Sequence, residues 1–237
     1  KELPQLEKQL ELKKKAHAWE IADEVEINSV PMKTFETTPD VPYQTGKSEV
    51  VSKLKEVETK VGAVEAHGMS KTEQMVAVDI DGIQFFYPTK QRERAADTIM
   101  DLKAIRTAKR GDMPDELWDV NDRVVFSSQL NKKDEYWAKQ YNTPGFRSAA
   151  TGGDGTMVVY NTDLSVSTFS HEAGHNLAKK TWGNTAPSRH NLTDYANAQK
   201  AEKPVSSYGS NSSAEDFAEA CKMFVTSQGN LFGKFPK

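Results

Sequence analysis

The amino-acid sequence predicts an α+β fold, in which helices pack against a small mixed sheet. Asp81-Gly82, a dipeptide typical of two-residue hairpin turns, separates two apolar runs at residues 75–80 and 83–87. A second glycine-rich loop, at residues 152–155, lies between two further runs of this kind. The last third of the chain has the apolar spacing of helices, which completes the α+β pattern.

The first 68 residues predict a helical extension with a proline-rich arm, which precedes an α+β domain over residues 69–237. Residues 1–26 are expected to form a highly charged helix, whose thin apolar stripe is typical of docking on a partner helix. Prolines punctuate residues 30–47, which therefore predict a linker. Over residues 48–65, valines and a leucine recur at helical spacing, with Ser48 as a suitable N-cap.

Within the domain, the expected elements follow one another closely along the chain. After the first hairpin they are a helix over 92–110, a strand over 122–127, a short helix over 132–141, and the hairpin strands 146–150 and 156–160. The last of these runs lies just upstream of the motif described below. We expect it at the edge of the sheet, where an extended peptide can pair with it as an added strand.

Composition is that of an ordinary globular protein and excludes several classes of function. Hydrophobic residues make up 37% and charged residues 27% of the chain, with a net charge of -3. A charge this small lacks the basic footprint of a nucleic-acid-binding protein, and no apolar run approaches the ~20 residues that a membrane span requires. Cys221 is the one cysteine, so no intrachain disulfide forms. The start at Lys1 rather than Met is what we expect of a processed form or of a piece of a longer protein.

The clearest chemical signal is the sequence His-Glu-Ala-Gly-His at residues 171–175. Two histidines four residues apart on a helix project from the same side, so His171 and His175 can both bind one zinc ion. Glu172 lies beside them, placed to act as general base and to take a proton from water activated by the metal. A chance pairing of two surface histidines is the plain alternative, which the helical context of the motif disfavours.

The helix that carries this motif has recognisable ends and two distinct faces. Residues 161–163 offer a start, and Trp182-Gly183 offers a stop, with glycine where helices favour it. One face is apolar and is expected to be buried: Val166, Phe169, Ala173 and Leu177. The neighbouring face is expected to line a cleft: Leu164, Thr168, His171 and His175.

A catalytic zinc site needs a third protein ligand and an open position. The metzincin pattern requires a histidine six residues after the second motif histidine, where this chain has Thr181. Glu215, at the start of a second helix, is the better candidate, and Glu219 shares its face one turn later. We expect Glu219 to accept a hydrogen bond from the ring N–H of a ligand histidine, namely His171.

The residues alone leave other interpretations of this segment open. Ser212 with Glu215 is also a capping-box pattern, which needs no metal. Glu219 can equally be a solvated surface charge. Asp194 and His190 remain rival candidates for the third ligand.

Three later residues complete a pattern with the HEAGH helix: Tyr208, Glu215 and Glu219. Over about residues 171–224 the chain resembles the catalytic domain of anthrax lethal factor and the related Pro-Pro endopeptidases. The resemblance implies a zincin-like fold, with an HExxH helix and a second helix that bears the third ligand. It also implies that His171, His175 and Glu215 bind one zinc ion, and that Tyr208 donates its phenolic hydroxyl to the oxyanion of the tetrahedral intermediate.

The hypothesis that follows is a zinc-dependent endopeptidase that hydrolyses a protein or peptide substrate, with no nucleic-acid partner and no membrane span. The alternative is a catalytically silent scaffold or attachment module of a larger toxin or phage particle, which the charged helices and the arm before residue 69 motivate. The N-terminal helices are expected to contact a partner chain or the rest of a larger protein. Related domains occur in toxins and phage heads, so a secreted or virion-associated location is favoured over a cytoplasmic one.

Three further features are expected to be structural. Cys221 lies on the apolar stripe of its helix and is interpreted as a buried thiol. His17 and His67 are expected at the surface, outside the site. The loop at residues 152–155 lacks the Lys-Ser/Thr ending of a phosphate-binding loop, so we interpret it as a hairpin turn.

Overall fold

The computed structural model describes residues 46–106, 113–160, 163–183 and 201–234, with side chains up to residue 227. Within these residues the chain forms an α+β fold with a six-stranded mixed sheet. The strands are β1 Thr59–Val64, β2 Glu73–Ile80, β3 Ile83–Tyr87, β4 Arg123–Phe126, β5 Ala150–Gly153 and β6 Thr156–Val159. The helices are α1 Lys47–Val57, α2 Arg92–Arg106, α3 Asp115–Trp118, α4 Asp134–Gln140, α5 Val166–Trp182 and α6 Ser213–Lys234.

The sheet has the strand order β1-β2-β3-β4-β6-β5, which places β1 and β5 at its two edges. β2 and β3 form the antiparallel hairpin that the sequence predicts, with Ile80 opposite Ile83. Both turn residues have positive φ, 51° at Asp81 and 86° at Gly82, as a two-residue type I′ turn requires. β3 pairs with β4, and β4 pairs with β6, in parallel, so the sheet is mixed.

Both faces of the sheet are covered, so a central strand such as β6 is buried at every position. Alternate residues of β3 serve the two faces: Phe85 and Tyr87 lie in the larger core, and Phe86 lies in the opposite one. The larger core receives side chains from α1, α2, α5 and α6. The second is covered by the connection between β1 and β2, through Ala66 and Met69.

The helix expected over residues 48–65 is wrong in its second half. α1 ends at Val57, and the chain continues as β1, which pairs with β2. Val61 therefore lies on a strand. The prediction failed because a β-branched segment rich in valine and threonine fits a sheet as well as it fits helical spacing.

The residues just before Gly68 belong to the α+β fold rather than to a separate extension. Val50 and Leu54 of α1 are fully buried in the larger core, and β1 is part of the sheet. The fold therefore begins well before the boundary expected between residues 68 and 69. The helix expected over residues 1–26, and the arm up to residue 45, lie outside the described residues.

The second hairpin is present, but its first strand is displaced from the prediction. The turn is confined to Asp154 and Gly155, which have φ of 47° and 74°. The two glycines before them, expected in the loop, extend β5 instead. β6 pairs with β4 on one side and with β5 on the other, so the edge expected at residues 156–160 is wrong and β5 is the edge strand. The error arose because all four residues at 152–155 favour turns, so the sequence does not show which two of them form the turn.

The remaining elements follow the prediction more closely. α2, β4 and α4 lie inside their expected ranges, and the expected helical residues 107–110 lie outside the described part of the chain. α5 begins later than residues 161–163, because Ser165 is its N-cap and accepts the Thr168 N–H at 3.1 Å. It ends as expected at Gly183, whose φ is 69°. Among the described helices, none combines the length and the apolar character that crossing a membrane requires.

We expect Phe169→Ala to lower the free energy of unfolding by about 3–5 kcal/mol, the usual result of removing a large buried ring. Phe169 is fully buried, and its ring centroid lies 5.7 Å from that of Trp118, so it fixes α5 to the core. Urea denaturation followed by circular dichroism measures the change. Leu130 is 49% exposed and serves as the control, with an expected effect of Leu130→Ala below about 0.5 kcal/mol. Equal effects of the two substitutions would contradict this packing.

Candidate metal centre

A cleft of about 450 Å³ runs between the edge strand β5, the helices α5 and α6, and the segment around α4. The six side chains singled out from the sequence all line it: His171, Glu172, His175, Tyr208, Glu215 and Glu219. The first three lie on α5 and the last two on α6. The fold thus brings together groups as far apart in the chain as His171 and Glu219, which are separated by 48 positions.

The two motif histidines and Glu215 form a compact cluster of potential metal ligands. One donor atom from each of these three side chains lies within 4.8 Å of the other two. Nε2 of His171 is 3.1 Å from Oε2 of Glu215, and Nε2 of His175 is 3.6 Å from the same oxygen. The two imidazole rings stand nearly perpendicular, at 85°, with centroids 4.9 Å apart. A set of two imidazoles and one carboxylate with this spacing could hold a metal ion.

The close approach of α5 and α6 depends on Gly174, the glycine inside the HEAGH sequence. A Cβ at this position would lie 2.9 Å from Cα of Ala218 and 3.1 Å from Cβ of Cys221. Any larger residue would push α6 away. The helices therefore cross at the distance that lets Glu215 reach both histidines.

The hydrogen bonding of His171 fixes which of its nitrogens faces Glu215. Nδ1 lies 3.0 Å from Oε1 of Glu219. Burial raises the pKa of Glu219, but hydrogen bonds from His171 and Lys222 outweigh it and lower this pKa to about 2, so the carboxylate is ionised. An ionised carboxylate only accepts, so Nδ1 donates, and in the neutral ring Nε2 carries a lone pair.

The cluster fits a bound cation for a simple electrostatic reason. In the neutral ring, the lone pair on Nε2 of His171 faces a carboxylate oxygen of Glu215 at 3.1 Å. Among the described residues, no donor makes a hydrogen bond of good geometry to this buried oxygen. Two acceptors at this distance repel unless a positive charge lies between them. A proton or a metal ion supplies that charge, and a metal ion also satisfies the second histidine.

The pKa values of His171 and Glu215 also indicate that positive charge is favoured at this cluster. Burial lowers the pKa of His171, but contacts with Glu215 and Glu219 outweigh it and raise this pKa to about 10. Burial raises the pKa of Glu215, but the charge of His175 and the contacts with His171 hold it well below its usual range. In the absence of a metal ion, His171 is therefore protonated near neutral pH. A divalent ion competes with that proton.

Glu172 is buried beside the cluster, with 7% of the residue exposed. Burial raises its pKa, and the charges of His171 and His175 and a hydrogen bond from the Gly152 N–H oppose this rise without cancelling it. A carboxylate whose pKa is raised by burial holds a proton more readily, which suits a group that accepts and releases one during a reaction. The structure thus places a potential general base next to the three potential ligands.

Lys222 is a member of this site that the sequence analysis missed. Its Nζ lies 2.5 Å from Oε1 of Glu219, the oxygen that also accepts from His171. The ammonium group balances a carboxylate whose side chain is only 5% exposed. The spacing of three residues on one helix was the available signal, because such pairs are neighbours on a helical surface.

Tyr208 lies in the turn before α6, with its ring centroid 5.7 Å from that of His171. Burial, followed by the charge of Glu215, raises the pKa of its phenol, which therefore stays protonated and can donate a hydrogen bond. A hydrogen bond with Tyr141 contributes to the same shift. Tyr141 stacks on Trp137 and meets Phe146 edge-on, so aromatic rings form one wall of the cleft. Sequence analysis did not identify this wall.

The capping and ligand interpretations of Glu215 are compatible. Oγ of Ser212 accepts the Glu215 backbone N–H at 3.2 Å, which caps α6. The Glu215 side chain is not needed for that bond and points to the histidines. The rival ligands His190 and Asp194 lie outside the described residues, as does His17.

Two residues lie elsewhere than expected. His67 was expected at the surface, but it lines the cleft, and its Nε2 is 2.6 Å from Oγ1 of Thr151 on β5. It reaches this position because the connection between β1 and β2 crosses the face of the sheet. Leu164 was expected to face the cleft, but it precedes α5 and is buried in the larger core. Cys221 is a buried thiol, as expected, and burial raises its pKa to about 12.

Comparison with protein-family models finds no match to this chain, and comparison with curated proteins finds none either. The cleft itself offers two imidazoles and a carboxylate around one point, a buried carboxylate beside them, and a protonated phenol opposite. A site of this composition can bind a cation, move a proton and donate a hydrogen bond to a developing negative charge.

We expect Glu219→Ala to weaken binding of a divalent ion by about 10–100-fold, because an acceptor that orients a ligand histidine typically has an effect of this size. Isothermal titration of the metal-free chain with Zn²⁺ measures the affinity. Glu116, an exposed carboxylate on α3, provides the control variant Glu116→Ala, which should bind as the unmodified chain does. Unchanged affinity in Glu219→Ala would show that the contact with His171 does not prepare a metal site.

Proposed function

We propose that this protein is a zinc-dependent endopeptidase of the HExxH type, with a zincin-like catalytic domain. The observation that carries the proposal is the cluster of His171, His175 and Glu215, whose donor atoms lie within 4.8 Å of one another beside Glu172. Two imidazoles and one carboxylate are a donor set typical of catalytic zinc. The resemblance to the catalytic domain of lethal factor and to Pro-Pro endopeptidases rests on these residues together with Tyr208 and Glu219.

In this proposal a zinc ion held by His171, His175 and Glu215 supplies Lewis acidity, which makes water more acidic and a carbonyl more electrophilic. Glu172 takes the proton from the attacking water and delivers it to the leaving amine, a task that its raised pKa favours. Tyr208 donates its hydroxyl to the oxyanion of the tetrahedral intermediate, and such donors typically contribute about 10²–10³ in turnover. Glu219 holds His171 in the tautomer whose Nε2 faces the cluster.

The edge strand β5 supports an extended peptide as the substrate. Ala149 directly precedes β5, and Tyr160 directly follows β6. The Tyr160 N–H donates to Ala149 O at 3.0 Å, so these two residues form a hydrogen-bonded pair that continues the β5–β6 ladder. Hydrogen-bonded and non-bonded pairs alternate in antiparallel sheets, so the backbone groups of Ala150 and Gly152 point to the free edge. A peptide that adds to this edge lies along the cleft, beside Glu172.

The first test is the metal content of the purified chain, measured by mass spectrometry. We expect about one zinc ion per chain, and its loss in both His175→Ala and Glu215→Ala, because a three-ligand site does not hold the ion with two ligands. The Leu130→Ala variant, altered at an exposed position, should retain the ion. No zinc in the unmodified chain, even after reconstitution, would overturn the peptidase proposal and leave the scaffold hypothesis in its place.

The second test is Glu172→Gln. We expect peptide hydrolysis to fall at least about 100-fold, the lower range for loss of a general base, while zinc is retained because Glu172 is not a ligand in this proposal. Cleavage of a peptide library, followed by mass spectrometry, identifies a substrate and measures the rate. Undiminished proteolysis by a zinc-loaded Glu172→Gln protein would exclude this mechanism.

A further inference from the structure

Gly152, in the middle of β5, lies where the edge strand meets α5. A Cβ built on it would be 2.6 Å from the main-chain oxygen of Glu172 and 3.1 Å from Oε2 of the same residue. The first contact is with helix backbone, which cannot move aside as a flexible side chain can. The φ of Gly152 is not positive, so the backbone conformation does not require glycine. Glycine is required here for steric reasons, because a side chain would have no room between β5 and α5.

The amide of Gly152 points toward the same glutamate. Its position in the strand directs the N–H and C=O away from β6 and toward the free edge. There it lies beside the Glu172 carboxylate, whose Oε2 would be 3.1 Å from a Cβ on Gly152, and its interaction with this group opposes the rise in the pKa of Glu172. The close approach and the hydrogen bond are therefore linked, because the amide reaches the carboxylate only when no Cβ separates strand from helix.

We propose that Gly152 is a positioning residue for Glu172: its lack of a side chain lets β5 approach α5, and its N–H fixes the direction of the carboxylate. The inference rests on the proposed role of Glu172 as general base. A hydrogen bond to an ionised acceptor is short and directional. It holds a side chain that could otherwise turn about its own bonds, and reacting groups must be held within about 0.5 Å of the productive geometry.

This role of Gly152 determines which backbone groups at the free edge of β5 remain available to a substrate. In this proposal its N–H binds Glu172 and is not available to a substrate. The groups that remain for a peptide backbone are the C=O of Gly152 and the N–H and C=O of Ala150, which point the same way. One strand thus orients the base and pairs with the substrate through neighbouring backbone groups.

The first experiment compares Gly152→Ala with Gly153→Ala in the zinc-loaded protein. Gly153 is the matched control, because a Cβ there meets no atom within 4 Å and its backbone pairs with Thr156 in β6. We expect kcat of Gly152→Ala to fall about 100-fold, the usual cost of displacing a catalytic group by about 1 Å, with a much smaller change in KM and with zinc content unchanged. Gly153→Ala should stay within about twofold of the unmodified enzyme. Equal kcat in the two variants would overturn the proposal.

A second variant separates the hydrogen bond from the steric effect, and it also serves if Gly152→Ala does not fold. Replacing Gly152 by glycolic acid exchanges its amide for an ester, which removes the N–H and adds no side chain. We expect kcat to fall at least about tenfold, the rate equivalent of one hydrogen bond to a charged group, with unchanged KM. An ester variant with full kcat would show that the N–H does not position Glu172.

A third measurement does not depend on activity and so separates this inference from the proposed function. In the nuclear magnetic resonance spectrum of the metal-free chain, the Gly152 amide proton should lie downfield, as expected for a bond to a carboxylate. In Glu172→Ala it should move upfield, while that of Gly153 stays in place. An unmoved Gly152 resonance would overturn the inference even in an active enzyme. A shift in a protein that cleaves no peptide would retain the contact and overturn only the peptidase proposal.

Discussion

The crossing of α5 and α6 at Gly174 is the constraint on which the site depends. Because a Cβ there would lie 2.9 Å from Cα of Ala218, the two helices can approach only with glycine at this position. The approach brings Glu215 and Glu219 of α6 to the two nitrogens of one imidazole, His171, at 3.1 and 3.0 Å. The glycine between the motif histidines therefore shapes the site as directly as the histidines do.

This packing concentrates acidic groups in a place with little access to water. Glu172, Glu215 and Glu219 are all largely buried, and the cations beside them are His171, when it is protonated, and Lys222. Like charges brought together in a poorly solvated site are unfavourable unless cations accompany them. The packing of α5 against α6 is therefore the same packing that would make a cation favourable at this point.

Local patterns predicted much of this structure, and distant contacts limited the prediction. Asp81-Gly82 and Gly183 act through their own backbone conformations, so the hairpin turn and the end of α5 could be placed from sequence. The residues of the cluster could be identified because their spacing along a helix and their suitability as metal ligands are both visible in the sequence. Val61 was misplaced because its segment satisfies helical and strand periods alike. His67 and Tyr141 were missed because they reach the cleft through contacts that no local pattern shows.

The connection that carries His67 across the sheet shows that the cleft is closed by contacts between residues far apart in the chain. His67 meets Thr151 across 84 positions of the chain, and His171 meets Glu219 across 48. Contacts of such separation close large loops, so their entropic cost is offset only when the surrounding sheet has packed. The candidate site is therefore a property of the completed fold, because contacts between distant parts of the chain close both its ends.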